Sequence, residues 1–137
     1  MATTDSVNKI NDKWEIFQKK GLHFLHLNVN SLLPKIEEIR FIAQKTRASI
    51  IGITETKLDS SITTGEVEIE GYDMLRLDRT RHGGGVACYI KNSISYNYKP
   101  NLCKDIESIF LDIYIPKSNP ILIGIFHSDS LAAKLQF

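Results

Sequence analysis

The apolar period changes several times along this chain, and each change marks an element. Val7, Ile10, Trp14 and Phe17 recur at helical spacing. They predict an amphipathic helix over residues 5 to 20, capped by Asp5 or Ser6 and stopped at Gly21. Leu22 to Leu27 is almost continuously apolar apart from His23 and His26, which suits a strand covered on both faces. The two histidines read as interior or strand-edge residues, since they precede the strand's end and belong to no motif. Pro34 opens a second helix. Ile36, Ile39 and Ala43, with Ile42 alongside, form its buried stripe, while Glu37, Glu38, Arg40 and Lys45 face water. The β-branched run Ile50 to Thr54 returns as a strand.

The next stretch, KLDSSITTGEVEIEG, is polar and rich in turn formers. It predicts a surface loop with a short strand or turn near Val67 to Ile69. Tyr72 to Leu77 and Val86 to Lys91 read as two strands of a hairpin joined by RTRHGGG. Its three glycines leave the backbone free to approach a phosphate; the plainer reading is that they turn the chain and start a tightly packed strand. Ile94 to Tyr98, Ser108 to Ile115 and Ile121 to Phe126 are further strands. In the second of these Ile109, Leu111, Ile113 and Ile115 alternate with Phe110, Asp112 and Tyr114. Pro116 and the following KSNP make a tight connection, so the last two strands form a second hairpin. Strands interleaved with a helix of this kind describe an α/β fold.

The first strand, the Pro34 helix and the Ile50 strand form a β–α–β crossover. Its strands are parallel, so their C-terminal ends share one edge of the sheet. Ligands of open α/β sheets bind along that edge. Asn28 and Asn30 stand at the end of the first strand and Glu55 at the end of the second. Two carboxamides and a carboxylate on one rim suit Mg²⁺, which takes oxygen donors and keeps several waters.

These residues carry a resemblance. LNVNSLLPKIEEI followed by IIGITETKLD resembles the start of the endonuclease/exonuclease/phosphatase (DNase I-like) superfamily, and most closely the endonuclease domain of non-LTR, LINE-type retrotransposons. EGYDMLRLDRTRHGGGVACYIK and ESIFLDIYIPKSNPILIGIF extend it over roughly residues 20 to 126. The resemblance implies the first half of a DNase I-like two-sheet α/β sandwich, truncated, whose family activity is metal-dependent nicking of DNA. Glu55 would be the Mg²⁺ ligand, with Mn²⁺ as the alternative ion. Asn28 would help hold the metal and the scissile phosphate, and Asn30 would stand at the rim of the same site. The family places DNA near the glycine loop, which makes Arg79, Arg81 and His82 candidate backbone contacts.

The resemblance stops near Phe126. Relatives continue there into an aromatic–tyrosine step and a Pro-rich turn, whereas this chain reads FHSDSLAAKLQF. His127 stands in the tyrosine's place, and Asp129 matches neither of the family's later acidic motifs. The later Asp-x-Asn segment and the closing Asp-His pair, which supplies the general base, are not found. The sequence thus divides into an N-terminal helix over 1–20, a partial domain over 21–126 and a divergent tail over 127–137. It predicts a catalytically incomplete chain, with a decayed element copy lacking selected function as one alternative. Another is a non-catalytic module that binds nucleic acid or docks a protein.

Composition narrows the setting. The chain has 137 residues and a formal net charge of +1, so charge alone does not recruit nucleic acid and DNA contact would need a local patch. Cys88 and Cys103 lack metal-like spacing; a disulfide between them stays open, although a reduced intracellular protein is the simpler expectation. The polar N-terminus has no signal-peptide core, and no run is long enough to span a membrane. A soluble nuclear or cytoplasmic protein is expected. Strands left uncovered by an absent half would favour self-association.

Overall fold

The computed structural model describes residues 19–100, 102 and 106–127. The helix expected over 5 to 20 falls almost wholly outside these residues, as do Cys103 and the tail beyond His127.

Two sheets face each other. The first contains β1 (Phe24–Asn28), β2 (Ile50–Thr54), β3 (Tyr72–Leu77) and β4 (Val86–Lys91), in the order β1-β2-β4-β3. β1 and β2 are parallel and joined by helix α1 (Ile36–Thr46), as the crossover pattern requires. β4 is antiparallel to both of its neighbours, β2 and β3. The second sheet is antiparallel throughout and runs β5 (Ser95–Tyr98), β6 (Ser108–Tyr114), β7 (Ile121–Phe126). Both predicted hairpins, β3–β4 and β6–β7, are therefore present.

The residues of β2 alternate between two apolar layers. Ile51 and Ile53 pack with Ala87 and Tyr89 beneath Ile36, Ile39 and Ala43 of α1. Ile50 packs with Val86, Cys88 and Ile90 against Ile109, Leu111, Ile113 and Ile125 of the second sheet. Every residue of β2 is buried, which explains why its sequence is apolar without alternation. At the end of α1, Arg47 adopts a left-handed conformation and its amide bonds back to Ala43 at 2.9 Å, closing the helix.

One expectation is corrected. β1 is not covered on both faces. It is an edge strand whose Leu25 and Leu27 pack under α1 while Phe24 stays 50 % exposed on the other side. As an edge strand it has, among the described residues, a neighbour along one side only, β2. The short strand or turn expected near Val67 takes the form of a one-turn helix, α2 (Thr64–Val67). Thr63 and Glu66 make a reciprocal capping box there. The hydroxyl of Tyr89 then donates to the Val67 carbonyl at 2.6 Å and ties the turn to the core.

Candidate cation and phosphate site

Asn28 lies in register with Thr54 across the parallel β1–β2 pair, and Glu55 is the next residue. Beyond the strands the two chains stay zipped. The amides of Val29, Ser31 and Leu32 donate to the carbonyls of Thr54, Glu55 and Thr56 at 3.2, 2.8 and 2.9 Å. From the other side the amides of Thr56 and Lys57 donate to Gly85 and Gly84 at 3.2 and 2.9 Å. Three loops thus meet at one rim, and Asn28, Asn30 and Glu55 all stand on it.

The rim is backbone-strained. Asn30, Ser31, Glu55 and Lys57 have φ of 46°, 90°, 58° and 51°. Such left-handed conformations are unusual for residues with a side chain and concentrate where function needs a particular direction. The Glu55 side chain is 33 % exposed, and its carboxylate meets His127 Nε2 at 3.3 Å. Asn28 and Asn30 are exposed. The Asn30 carboxamide oxygen accepts a hydrogen bond from Lys57 Nζ, and Lys35 Nζ donates to the carbonyls of Val29 and Asn30. An ammonium already sits on the oxygen that Asn30 would offer to a cation. Flanking Glu55, the hydroxyls of Thr54 and Thr56 are buried and find no hydrogen-bond partner among the described residues.

The glycine loop is anchored rather than open. A Cβ on Gly85 would lie 2.2 Å from Thr56 Oγ1, and one on Gly84 would lie 2.1 Å from Arg79 Nε. The Gly85 amide donates to Glu107 Oε1 at 2.7 Å. The left-handed φ of Gly84 and Gly85, 72° and 91°, and at Gly85 the close approach of Thr56 account for the two glycines, and the Gly85 N–H is spent on a carboxylate of the protein itself. Arg79 is 3.6 Å from the same Glu107 and Arg81 is 3.9 Å from Asp59. Hydrogen bonds from Ser61 hold the Asp59 carboxyl below its ordinary pKa, with Arg81 and Arg76 adding to the effect. Both arginines stay more than half exposed, and His82 is exposed beside them.

Of the two histidines in the first strand, His23 contacts the Lys19 carbonyl at 2.6 Å through Nε2, and His26 is exposed on the edge. Neither stands at the rim. Sequence reasoning passed over Lys57, Lys35 and Glu107, and set His127 in the family's tyrosine position without joining it to Glu55. His127 directly follows β7, and that position was the available signal. Among the described residues there is no group of three or more His, Cys, Asp or Glu side chains arranged to hold a metal. No helix among them is long and apolar enough to cross a membrane.

No protein-family model and no curated protein matches the chain. Solved structures do. The AP endonuclease LMAP from Leishmania major aligns with 99 % of this chain at a TM-score of 0.64 and 15 % identity, using 56 % of its own length. The endonuclease domain of TRAS1, a telomere-specific non-LTR retrotransposon, aligns with 77 % at 0.55 and 14 % identity, using 44 % of its length. The 3′ phosphatase NExo from Neisseria, bound to a product DNA hairpin, aligns with 74 % at 0.54 and 16 % identity, using 40 % of its length. These likenesses show the fold alone, a DNase I-like two-sheet α/β fold. The chain spans about half the length of these proteins or less.

Proposed function

We propose that this chain carries the cation-binding half of a DNase I-like phosphodiesterase domain whose substrate is DNA. The reading rests on the register of Asn28 with Thr54, which sets Glu55 beside Asn28 on the ligand-binding rim. The donor set suits a divalent cation. Glu55 supplies a carboxylate and Asn28 a carboxamide oxygen, while Asn30 braces the rim through Lys57. A bound cation would neutralise charge developing on a phosphate. Asn28, exposed beside it, would orient a phosphate oxygen. Arg79, Arg81 and His82 would meet the nucleic-acid backbone. Each arginine shares its charge with a nearby acid, and exposed pairing of this kind is weak enough to yield readily to phosphate.

Hydrolysis also needs a group to take the attacking water's proton, typically worth ~10²–10⁴-fold in rate. Neither carboxamide can do this, Glu55 is committed to the cation, and the His127 imidazole is taken up by Glu55. The 137-residue chain is therefore proposed to bind cation and DNA weakly without nicking. A non-catalytic interaction module is the second reading, and the Lys57 ammonium already bound to the Asn30 oxygen favours it. Nicking of supercoiled plasmid tests the proposal, comparing the native chain with Glu55→Ala and Asn28→Ala. The expected result is no nicking by any of them in Mg²⁺ or Mn²⁺. Nicking by the native chain that disappears in Glu55→Ala would overturn the incompleteness and reveal a working site. Nicking that survives both substitutions would identify a contaminating nuclease.

A further inference from the structure

β1 ends the first sheet and β7 ends the second, and the two ends lie side by side. Between them runs an apolar groove of about 290 Å³, lined by Phe24 and His26 of β1, Gly52 of β2 and Ile123, Ile125 and Phe126 of β7. Side chains alternate along β1. Leu25 and Leu27 pack under α1, while Phe24, His26 and Asn28 turn the other way and are exposed. An exposed Phe24 beside Ile123 and Ile125 is contiguous apolar surface of the kind that a partner segment covers. Nothing among the described residues covers it.

We propose that residues 128–137 of the same chain occupy this groove, seating Leu131 and Leu135 against Phe24, Ile123 and Ile125. The segment starts where the groove opens. His127 directly follows β7, and its Nε2 lies 3.3 Å from Glu55 Oε1 at the C-terminal end of β2. From there the groove runs back along β1 to Phe24, about 13 Å from Asn28. Residues 128–135 span up to about 26–29 Å when extended, so both leucines can reach its whole length. The sequence fits the lining. After the polar Ser128, Asp129 and Ser130, Leu131 and Leu135 are spaced to share one face in helix and strand alike. So short a tether holds the segment at an effective concentration on the order of millimolar, which a second copy at micromolar concentration does not match. The N-terminal segment is directed elsewhere. His23 shares the α1 side with Leu25 and Leu27, and its Nε2 meets the Lys19 carbonyl at 2.6 Å. Ile121 and Leu122, at the far end of β7, lie outside the groove and stay available for contact between copies.

The proposal stands apart from the cation reading, and NMR of the full chain tests it. Nuclear Overhauser contacts are expected from the Leu131 and Leu135 methyl groups to the Phe24 ring and the Ile125 methyl groups. In an equimolar mixture of isotope-labelled and unlabelled protein, these contacts should stay within one chain. Urea unfolding gives a second reading that does not depend on assignment. Leu131→Asp and Leu135→Asp should each raise the unfolded-to-folded ratio at least about tenfold, while Gln136→Asp changes it by no more than about twofold. Absence of these contacts in the native chain overturns the proposal. Contacts seen only between labelled and unlabelled chains overturn it in favour of a second copy in the groove. Unfolding midpoints of both leucine variants equal to the native one overturn it as well.

Discussion

Gly52 and Ile125 touch across the gap between the two sheets, and the missing Cβ of Gly52 is what lets them. A Cβ built there would lie 2.9 Å from Ile125 Cγ1 and 3.2 Å from Cγ2. Both positions are buried, so neither backbone can retreat toward solvent. Gly52→Ala should destabilise the fold by about 1–3 kcal/mol through overpacking. Urea unfolding at constant m-value would measure it. A midpoint within experimental error of the native one would mean that the sheets are not in this contact.

Tyr89 offers a second check on the core. Its ring is fully buried and its hydroxyl donates to the Val67 carbonyl at 2.6 Å. Burial also holds the phenol well above its ordinary pKa, so it stays a donor at any physiological pH. Tyr89→Phe strips the carbonyl of its partner at little cost in shape. The expected loss is about 1–3 kcal/mol, read by the same unfolding experiment. Hydrogen exchange should rise selectively in Thr64–Val67.

Cys88 is buried in the inter-sheet layer, and burial pushes its thiol pKa up to about 12. The thiolate is the reactive form. At pH 8 the native chain should leave Cys88 unlabelled by iodoacetamide over hours, while urea exposes it. Rapid native labelling at Cys88, mapped by mass spectrometry, would contradict the packing of β4 against β6.

The uncovered strands predict self-association. β1 and β7 are sheet edges, and Phe24, Ile121, Leu122 and Tyr114 are exposed apolar groups on or beside them. Such edges recruit further strands. Sedimentation velocity should show concentration-dependent oligomers, reduced by Leu122→Lys. A monodisperse monomer across the same concentrations would contradict this.

Most of the fold was legible because apolar period and turn residues act locally. The β–α–β crossover, both hairpins and the rim shared by Asn28, Asn30 and Glu55 follow from spacing alone. The exposure of β1 was not legible. Its residues are apolar enough for a covered strand, and only the reach of the second sheet decides how many faces are roofed. Helix α2 was hidden because Thr63, Glu66 and a tyrosine 22 residues away sustain its one turn. His127 was hidden for the same kind of reason. Its meeting with Glu55 joins positions far apart in sequence. The glycine loop was read both ways, and the contacts of Gly84 and Gly85 with Arg79 and Thr56 bear on packing alone.

The central claim is a divalent cation site built on Glu55 at the strand-end rim. Its most direct test is calorimetric titration of Mn²⁺ into the native chain and into Glu55→Gln, with unfolding midpoints compared. The account predicts a single site in the native chain, absent in Glu55→Gln, with the two apo forms similarly stable. Equal Mn²⁺ binding by both chains, or binding by neither, would contradict it.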